Sequence, residues 1–229
     1  MILARNLAFY GAFYFGSVFF VIGALIGALI DRRGMRRIVR AWARYHRSCL
    51  RLFAGIRVVE EGDKPCGPFF YAIRHESFFE AIDTPTHIPG AVPFAKYELS
   101  QIPGWGRAAH AYGMVFVARD DGAKALRAMF KEARDHAAEG RPLVIFPEGT
   151  RVPHGERRPL QAGFAGLYKV LGLPVVPVAV DSGPLYHRRW KRPGTITYRY
   201  GTIIPPGLPR DAIETRVTDA INALNAPPQ

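Results

Sequence analysis

Apolar and polar positions divide this chain sharply near residue 31. From Leu7 to Ile30 the sequence LAFYGAFYFGSVFFVIGALIGALI carries no charged side chain. About 20 apolar residues suffice for a helix to cross a bilayer core, so the run predicts a membrane segment. A secretory leader has a shorter apolar core and a small-residue cleavage site. Here Asp31-Arg32-Arg33 follows instead, which favours a retained segment. Gly11, Gly16, Gly23 and Gly27 leave open whether it spans or folds back as a hairpin. Next, Ile38, Trp42, Tyr45, Cys49 and Phe53 recur near helical spacing among arginines. This predicts a basic helix with one apolar stripe, suited to an anionic membrane surface, to packing on the rest of the chain, or to both.

Beyond about Val58 short apolar runs alternate with helical patterns, the signature of an α/β domain. Strands are expected at Phe69–Ile73, Met114–Ala118, Leu143–Phe146, Val175–Val180 and Ile196–Tyr200. Asp120 or Asp121 can cap a helix running to about Glu139, with Leu126, Met129, Phe130, Ala133 and Ala137 on its core face and Gly140 at its end. The expected architecture is α/β: a mixed sheet flanked by helices, with an N-terminal hydrophobic membrane helix or helical hairpin. The expected division is a membrane segment and basic helix over 1–56 and a cytoplasmic α/β domain over 57–229.

Charge sharpens this picture. The chain of 229 residues has 31 Lys and Arg against 19 Asp and Glu, a net charge of +12. Such a surface favours anionic lipid, phosphorylated substrates or nucleic acid. Arg32, Arg33, Arg36, Arg37, Arg40, Arg44, Arg47 and Arg51 follow the apolar run directly. That placement fits membrane headgroups and sets nucleic acid aside. It also predicts, by the positive-inside rule, that everything after Ile30 lies on the cytoplasmic face of the membrane. Cys49 and Cys66 are the two cysteines, with no spacing for zinc, and no metal or bound cofactor is expected.

Candidate chemistry collects after the predicted strands. Arg74-His75-Glu76-Ser77-Phe78-Phe79-Glu80 follows the first. Imidazole titrates near neutrality, so His75 is a candidate general base, and a carboxylate on its other nitrogen would fix the tautomer. Glu80 lies five residues on, about 140° around a continuous helix. The two meet only if His75 precedes the helix and bends back over its first turn. Ser77 is a conceivable nucleophile if its oxygen turns toward the imidazole. Phe146-Pro147-Glu148-Gly149-Thr150-Arg151 follows the third strand, gathering a carboxylate, a turn and a guanidinium whose fork matches phosphate. Lys96 and Arg119 each follow a short apolar stretch and can add positive charge. No nucleophile elbow, phosphate loop or dinucleotide fingerprint occurs.

In order and spacing these blocks resemble the glycerolipid acyltransferase family: a His-x4-acid block at His75–Glu80, a cationic block from Lys96 to Arg119, the hexapeptide Phe146–Arg151, and Val176-Pro177-Val178-Ala179. The stretch Glu98–Gly106 also looks like the family's. The resemblance covers roughly Phe69 to Val180. It departs in the acid, normally Asp and here Glu80; Asp83 is the nearest alternative. The residue before the histidine, Arg74, has no role assigned.

The resemblance implies transfer of an acyl chain from an acyl carrier protein or coenzyme A thioester to the free hydroxyl of 1-acyl-glycerol-3-phosphate or a related lyso-lipid, giving phosphatidic acid in phospholipid biosynthesis. It implies catalysis by His75 and Glu80. Substrate contacts would come from Lys96, Arg119, Glu148, Gly149, Thr150 and Arg151. A protein that binds anionic lipid without catalysis is the alternative, and it predicts that His75 is dispensable.

Overall fold

The computed structural model describes residues 2–117 and 122–225. The apolar run forms α1 (Ile2–Ile30), and Asp31 caps the next helix, α2 (Arg32–Cys49), by accepting from the backbone N–H groups of Arg33 and Gly34. A π-helical turn at Leu50–Ala54 leads into β1 (Ile56–Glu61). There follow β2 (Phe70–Ile73), α3 (Phe78–His87), β3 (Val92–Lys96), α4 (Tyr97–Ser100), α5 (Trp105–Tyr112) and β4 (Val115–Val117). The chain continues through α6 (Gly122–Ala138), β5 (Leu143–Ile145), α7 (Ala162–Leu171) and β6 (Val175–Val180), and closes with α8 (Gly183–Tyr186), β7 (Gly194–Tyr200) and α9 (Arg210–Ile221).

Among the described residues the strands form one sheet of seven, ordered β1-β7-β6-β2-β5-β3-β4. Strands β6, β2, β5, β3 and β4 are mutually parallel, and β7 is antiparallel to β6. This is the mixed α/β sheet expected from sequence. The central strands lie between two apolar layers, so β2 and β6 are buried along their whole length, as their unbroken apolar sequences require. Two strands escaped the sequence pattern. Strand β1 is an edge strand with a mostly exposed surface, and β3 carries Pro93. Asp120 and Asp121 lie outside the described residues, so the cap expected there is not described; Gly140 ends α6 with φ 75°. On α6 Met129 and Ala133 are core, but Leu126 is 43 % exposed.

Helices α1 and α2 form an antiparallel hairpin. The predicted stripe on α2 faces α1: Trp42 Nε1 donates to Ser17 Oγ at 2.9 Å and the Tyr45 hydroxyl to the Ala12 carbonyl at 2.6 Å. The glycines of α1 permit this closeness; a Cβ at Gly16 would fall within the Tyr45 ring, and one at Gly27 would sit 3.3 Å from the Met35 backbone. Both ends of α1 rest on the α/β layer. Near its start Arg5 Nε donates to the Phe53 carbonyl and Asn6 bonds the main chain of Lys191. Near its end Ala24 packs with Met35 and with Tyr112 of α5. The apolar run is thus one continuous helix with no turn inside it, and α1 lies along the body beside α2. Its outer face stays apolar and open: Phe15 is 72 % exposed, Leu29 89 % and Ile30 80 %.

Candidate active site

Because five neighbouring strands run parallel, their C-terminal ends share one edge, the usual place for a site in such a sheet. At those ends stand Ser182 after β6, His75 after β2, the 146–151 turn after β5 and Lys96 as the last residue of β3. Blocks far apart in sequence thus become neighbours. Arg119 would follow β4, but it lies outside the described residues.

His75 precedes α3, whose first turn solves the angular problem. Ser77 is the N-cap and Glu80 the N3 residue of a capping box. Ser77 Oγ accepts from Phe79 N, and Glu80 Oε2 accepts from Ser77 N at 2.9 Å. That draws the Glu80 carboxylate back beyond the helix start, where the same Oε2 meets His75 Nδ1 at 2.9 Å. A carboxylate only accepts, so Nδ1 carries the proton and Nε2 presents its lone pair; among the described residues Nε2 has no hydrogen-bond partner. Glu80 Oε1 accepts from Ser182 Oγ, which in turn lies 2.6 Å from Ser77 Oγ. Sequence reading missed Ser182, which carries no local signal. The Ser77 hydroxyl is wholly buried in this cap and does not turn to the imidazole, so the nucleophile reading has no geometric support. Asp83 is likewise engaged elsewhere, accepting from Arg47 Nε and Nη2 at 2.6 and 2.7 Å.

The imidazole stacks on Phe146, ring centroids 4.2 Å apart at 19°. This packing and the Glu80 bond hold the ring on the wall of a groove of about 1780 Å³. The groove runs from the sheet edge beneath the helical hairpin, with Val21 and Leu25 of α1, Trp42 of α2, and Leu126 and Phe130 of α6 among its apolar walls. Leu126, read as core from its spacing, serves as wall. Lys96, Gly149, Thr150 and Arg151 line the polar end, beside His75. Arg151 lies over the Phe78 ring at 4.2 Å. This is an open, largely apolar groove with an imidazole nitrogen on its wall and two exposed cations at its polar end.

Glu148 does not join that lining. Its carboxylate is buried, pairing with Arg74 Nη1 through Oε1 and accepting His75 N at 3.0 Å through Oε2. It fixes the backbone of His75 and does not face the groove, contrary to the substrate contact expected from sequence. Arg74, left without a role there, is wholly buried. It also donates to Asn222 Oδ1 at 3.0 Å and to the carbonyls of Pro153 and Glu156 at 3.1 and 2.6 Å. Glu76 accepts from Gly183 N at 2.8 Å and bonds His154 Nδ1 at 2.9 Å. Burial pushes the carboxyls of both Glu148 and Glu76 up; Arg74 and the His75 N–H oppose this at Glu148, and the Gly183 N–H and His154 oppose it at Glu76.

A mixed α/β sheet that presents a carboxylate-held histidine on the wall of a large apolar groove offers a base beside room for acyl chains, which is what an acyl-transferring enzyme needs. The chain belongs to the Acyltransferase family, whose profile matches residues 58–181. It is 30% identical over 204 residues to the 1-acyl-sn-glycerol-3-phosphate acyltransferase of Pseudomonas aeruginosa, covering 84% of this chain and 77% of that one. It is 26% identical over 205 residues to the alpha form of that enzyme from Homo sapiens, covering 85% and 70%. Its fold matches the crystal structure of the 1-acyl-sn-glycerophosphate acyltransferase PlsC from Thermotoga maritima with a TM-score of 0.78 at 21% identity, over 98% of this chain and 96% of that one.

Proposed function

We propose that this acyltransferase moves an acyl chain from a thioester to the free hydroxyl of 1-acyl-glycerol-3-phosphate, giving phosphatidic acid. The observation that carries the reading is the His75–Glu80 pair at the polar end of the groove, beside Lys96 and Arg151. His75 Nε2 takes the hydroxyl proton as the oxygen attacks the thioester carbonyl. The tetrahedral intermediate collapses with cleavage of the C–S bond, and the imidazolium returns the proton to the leaving thiolate. Glu80 stabilises that imidazolium and keeps Nδ1 protonated. Lys96 and Arg151 bind the acceptor's phosphate, with Gly149 and Thr150 shaping the turn that presents Arg151. The groove exceeds the roughly 300–1,000 Å³ of an ordinary ligand pocket, which suits a reaction that seats two acyl chains. No metal or bound cofactor enters these steps.

The relatives named above are 1-acylglycerol-phosphate acyltransferases, which supports the acceptor. The donor carrier, acyl carrier protein or coenzyme A, is chosen by neither their names nor the groove; a chain of net charge +12 attracts either anionic carrier. We place the enzyme on the cytoplasmic face of the membrane, with α1 lying in the plane of the interface. Its apolar outer face, exposed in a folded chain, is the kind of surface that a soluble protein would bury, and an amphipathic unit embeds to about 5–10 Å. The groove beneath the hairpin then opens at acyl-chain depth.

The test is acyl transfer by the detergent-solubilised protein. Lysophosphatidic acid is offered with labelled acyl carrier protein and coenzyme A thioesters, beside His75→Ala. Phosphatidic acid from the wild type and none above background from the variant is the expected result. Equal turnover by both, or membrane binding without any turnover of either thioester, sinks the proposal.

A further inference from the structure

Between α8 and β7 the chain reads His187-Arg188-Arg189-Trp190-Lys191-Arg192, and no acidic residue occurs from Ser182 to Arg210. His187, Arg188, Arg189, Trp190 and Arg192 are exposed, and among the described residues none of the three arginines has an ion-pair partner. Uncompensated cations in a loop are common, but this loop is built. Asn6, a buried amide on the apolar helix α1, accepts from Lys191 N at 2.7 Å and donates to Lys191 O at 3.0 Å. The Tyr10 hydroxyl, one helical turn on, donates to the Arg189 carbonyl. Lys191 turns inward: its ammonium donates to the carbonyls of Tyr186 and Arg188 and sits 4.2 Å over the Tyr186 ring. The arginines on either side therefore project outward from a fixed backbone. Arg5 lies against Gly55, whose carbonyl accepts from Gly194 N just beyond the loop, and extends the same patch.

We infer that this loop is a contact for anionic lipid headgroups, clamped to the N-terminal end of α1. The inference rests on the proposal that α1 lies in the membrane interface. Arg32, Arg33, Arg36 and Arg37 stand at the other end of α1, about 40 Å away along the helix, so both ends of the apolar face are bracketed by cations. A lipid surface suits the patch better than an acidic protein does, because the patch continues into exposed apolar side chains. Ile2, Leu3 and Leu7 of α1 are each more than half exposed. Trp190, with Arg189 stacked 5.3 Å from its ring, is the residue type that settles at headgroup depth.

The experiment is flotation of the full chain with vesicles of phosphatidylcholine, alone or doped with phosphatidylglycerol, at low and high salt. The variant is Arg188→Gln/Arg189→Gln/Arg192→Gln, with its melting temperature checked against wild type. Cations near an anionic surface each strengthen binding several-fold, so removing three should weaken partition into the anionic vesicles on the order of 100-fold at low salt. The difference should collapse near ~1 M salt, where the Debye length is about 3 Å, and binding to neutral vesicles should not change. A variant that keeps the wild-type preference for anionic vesicles overturns the inference. So does intact partition with turnover lost only from carrier-protein thioesters, which would make the loop a carrier dock. Wild type that binds neither vesicle removes the interfacial seat of α1 itself, a separate failure.

Discussion

Glu80→Gln isolates the charge on the acid from its shape. The amide keeps the length and volume of glutamate and can still accept from Ser77 N, so the capping box of α3 survives in part. It can also accept the His75 Nδ1 proton, so the tautomer is kept. What it cannot supply is the negative charge beside an imidazolium. The two groups are in direct contact, Nδ1 to Oε2 2.9 Å, and the glutamate is wholly buried. With about 4 Å between charge centres and an effective dielectric near 20, their attraction is about 4 kcal/mol. That corresponds to a fall in kcat of roughly 10³-fold. The measurement is initial rates in mixed micelles of lysophosphatidic acid with acyl thioester, alongside a thermal melt. The kcat should fall by about that factor while the KM for the acceptor changes little, because Glu80 does not line the groove. A folded variant whose kcat stays within about tenfold of wild type, less than ~1.4 kcal/mol, would refute the assignment of Glu80 as the group that stabilises charged His75.

Arg74→Met leaves Glu148 buried without its partner and should cost about 3–5 kcal/mol, read as a lowered melting temperature; Arg74→Lys should recover only part, since an ammonium cannot reach Glu148, Asn222 and two carbonyls in one plane. Arg151→Ala and Lys96→Ala each remove a hydrogen-bonding cation at the groove mouth, worth about 1.5–3 kcal/mol, so the acceptor's KM should rise roughly 10- to 100-fold with kcat largely kept; a fall in kcat alone would place them elsewhere in the reaction. His46 is buried on α2 against Tyr186, and burial, with Lys191 and Arg47 nearby, lowers its pKa to about 3. The unfolded chain takes up that proton near pH 6.5 and the folded chain does not, so stability present above ~6.5 is lost as pH falls, by about 2 kcal/mol at pH 5. Thermal melts at pH 7 and 5 should show a smaller drop for His46→Gln; an equal drop would mean that His46 is protonated in the folded protein.

Local pattern revealed what local forces decide. Strand β6 was readable at both ends because both its faces are buried; the Ser77–Glu80 capping box that starts α3 was not read from sequence. The His75–Glu80 contact was also deducible, as a condition: it needs His75 outside the helix, and the cap puts it there. What stayed hidden depends on pairing across the sheet. Ser182 reaches Glu80 only because β6 lies beside β2. Glu148 faces away from the groove because it pairs with the buried Arg74, brought beside it by the pairing of β2 with β5. The glycines of α1 read equally as bends or as contact points, and the choice was made by Tyr45 and Met35 on another helix.

The residues that hold the α1–α2 hairpin also hold Glu80, the acid of the proposed catalytic pair. Arg47 near the end of α2 makes a two-pronged bond to Asp83 on α3, three residues beyond Glu80. From the other side, Asn6 and Tyr10 of α1 grip the 187–192 loop, which continues from α8, and α8 begins just after Ser182, the hydroxyl on Glu80. His46 of α2 bonds Tyr186 at the end of that same short helix. Glu80 is thus braced through α3 by one helix of the hairpin and through Ser182 by both. A hairpin that merely tethered the enzyme would need none of these bonds. Built this way, it aligns the groove, the imidazole and the apolar outer face of α1 as one rigid unit. On the proposed interfacial seat of α1, an acyl chain entering from the lipid side would meet a base whose orientation is already set.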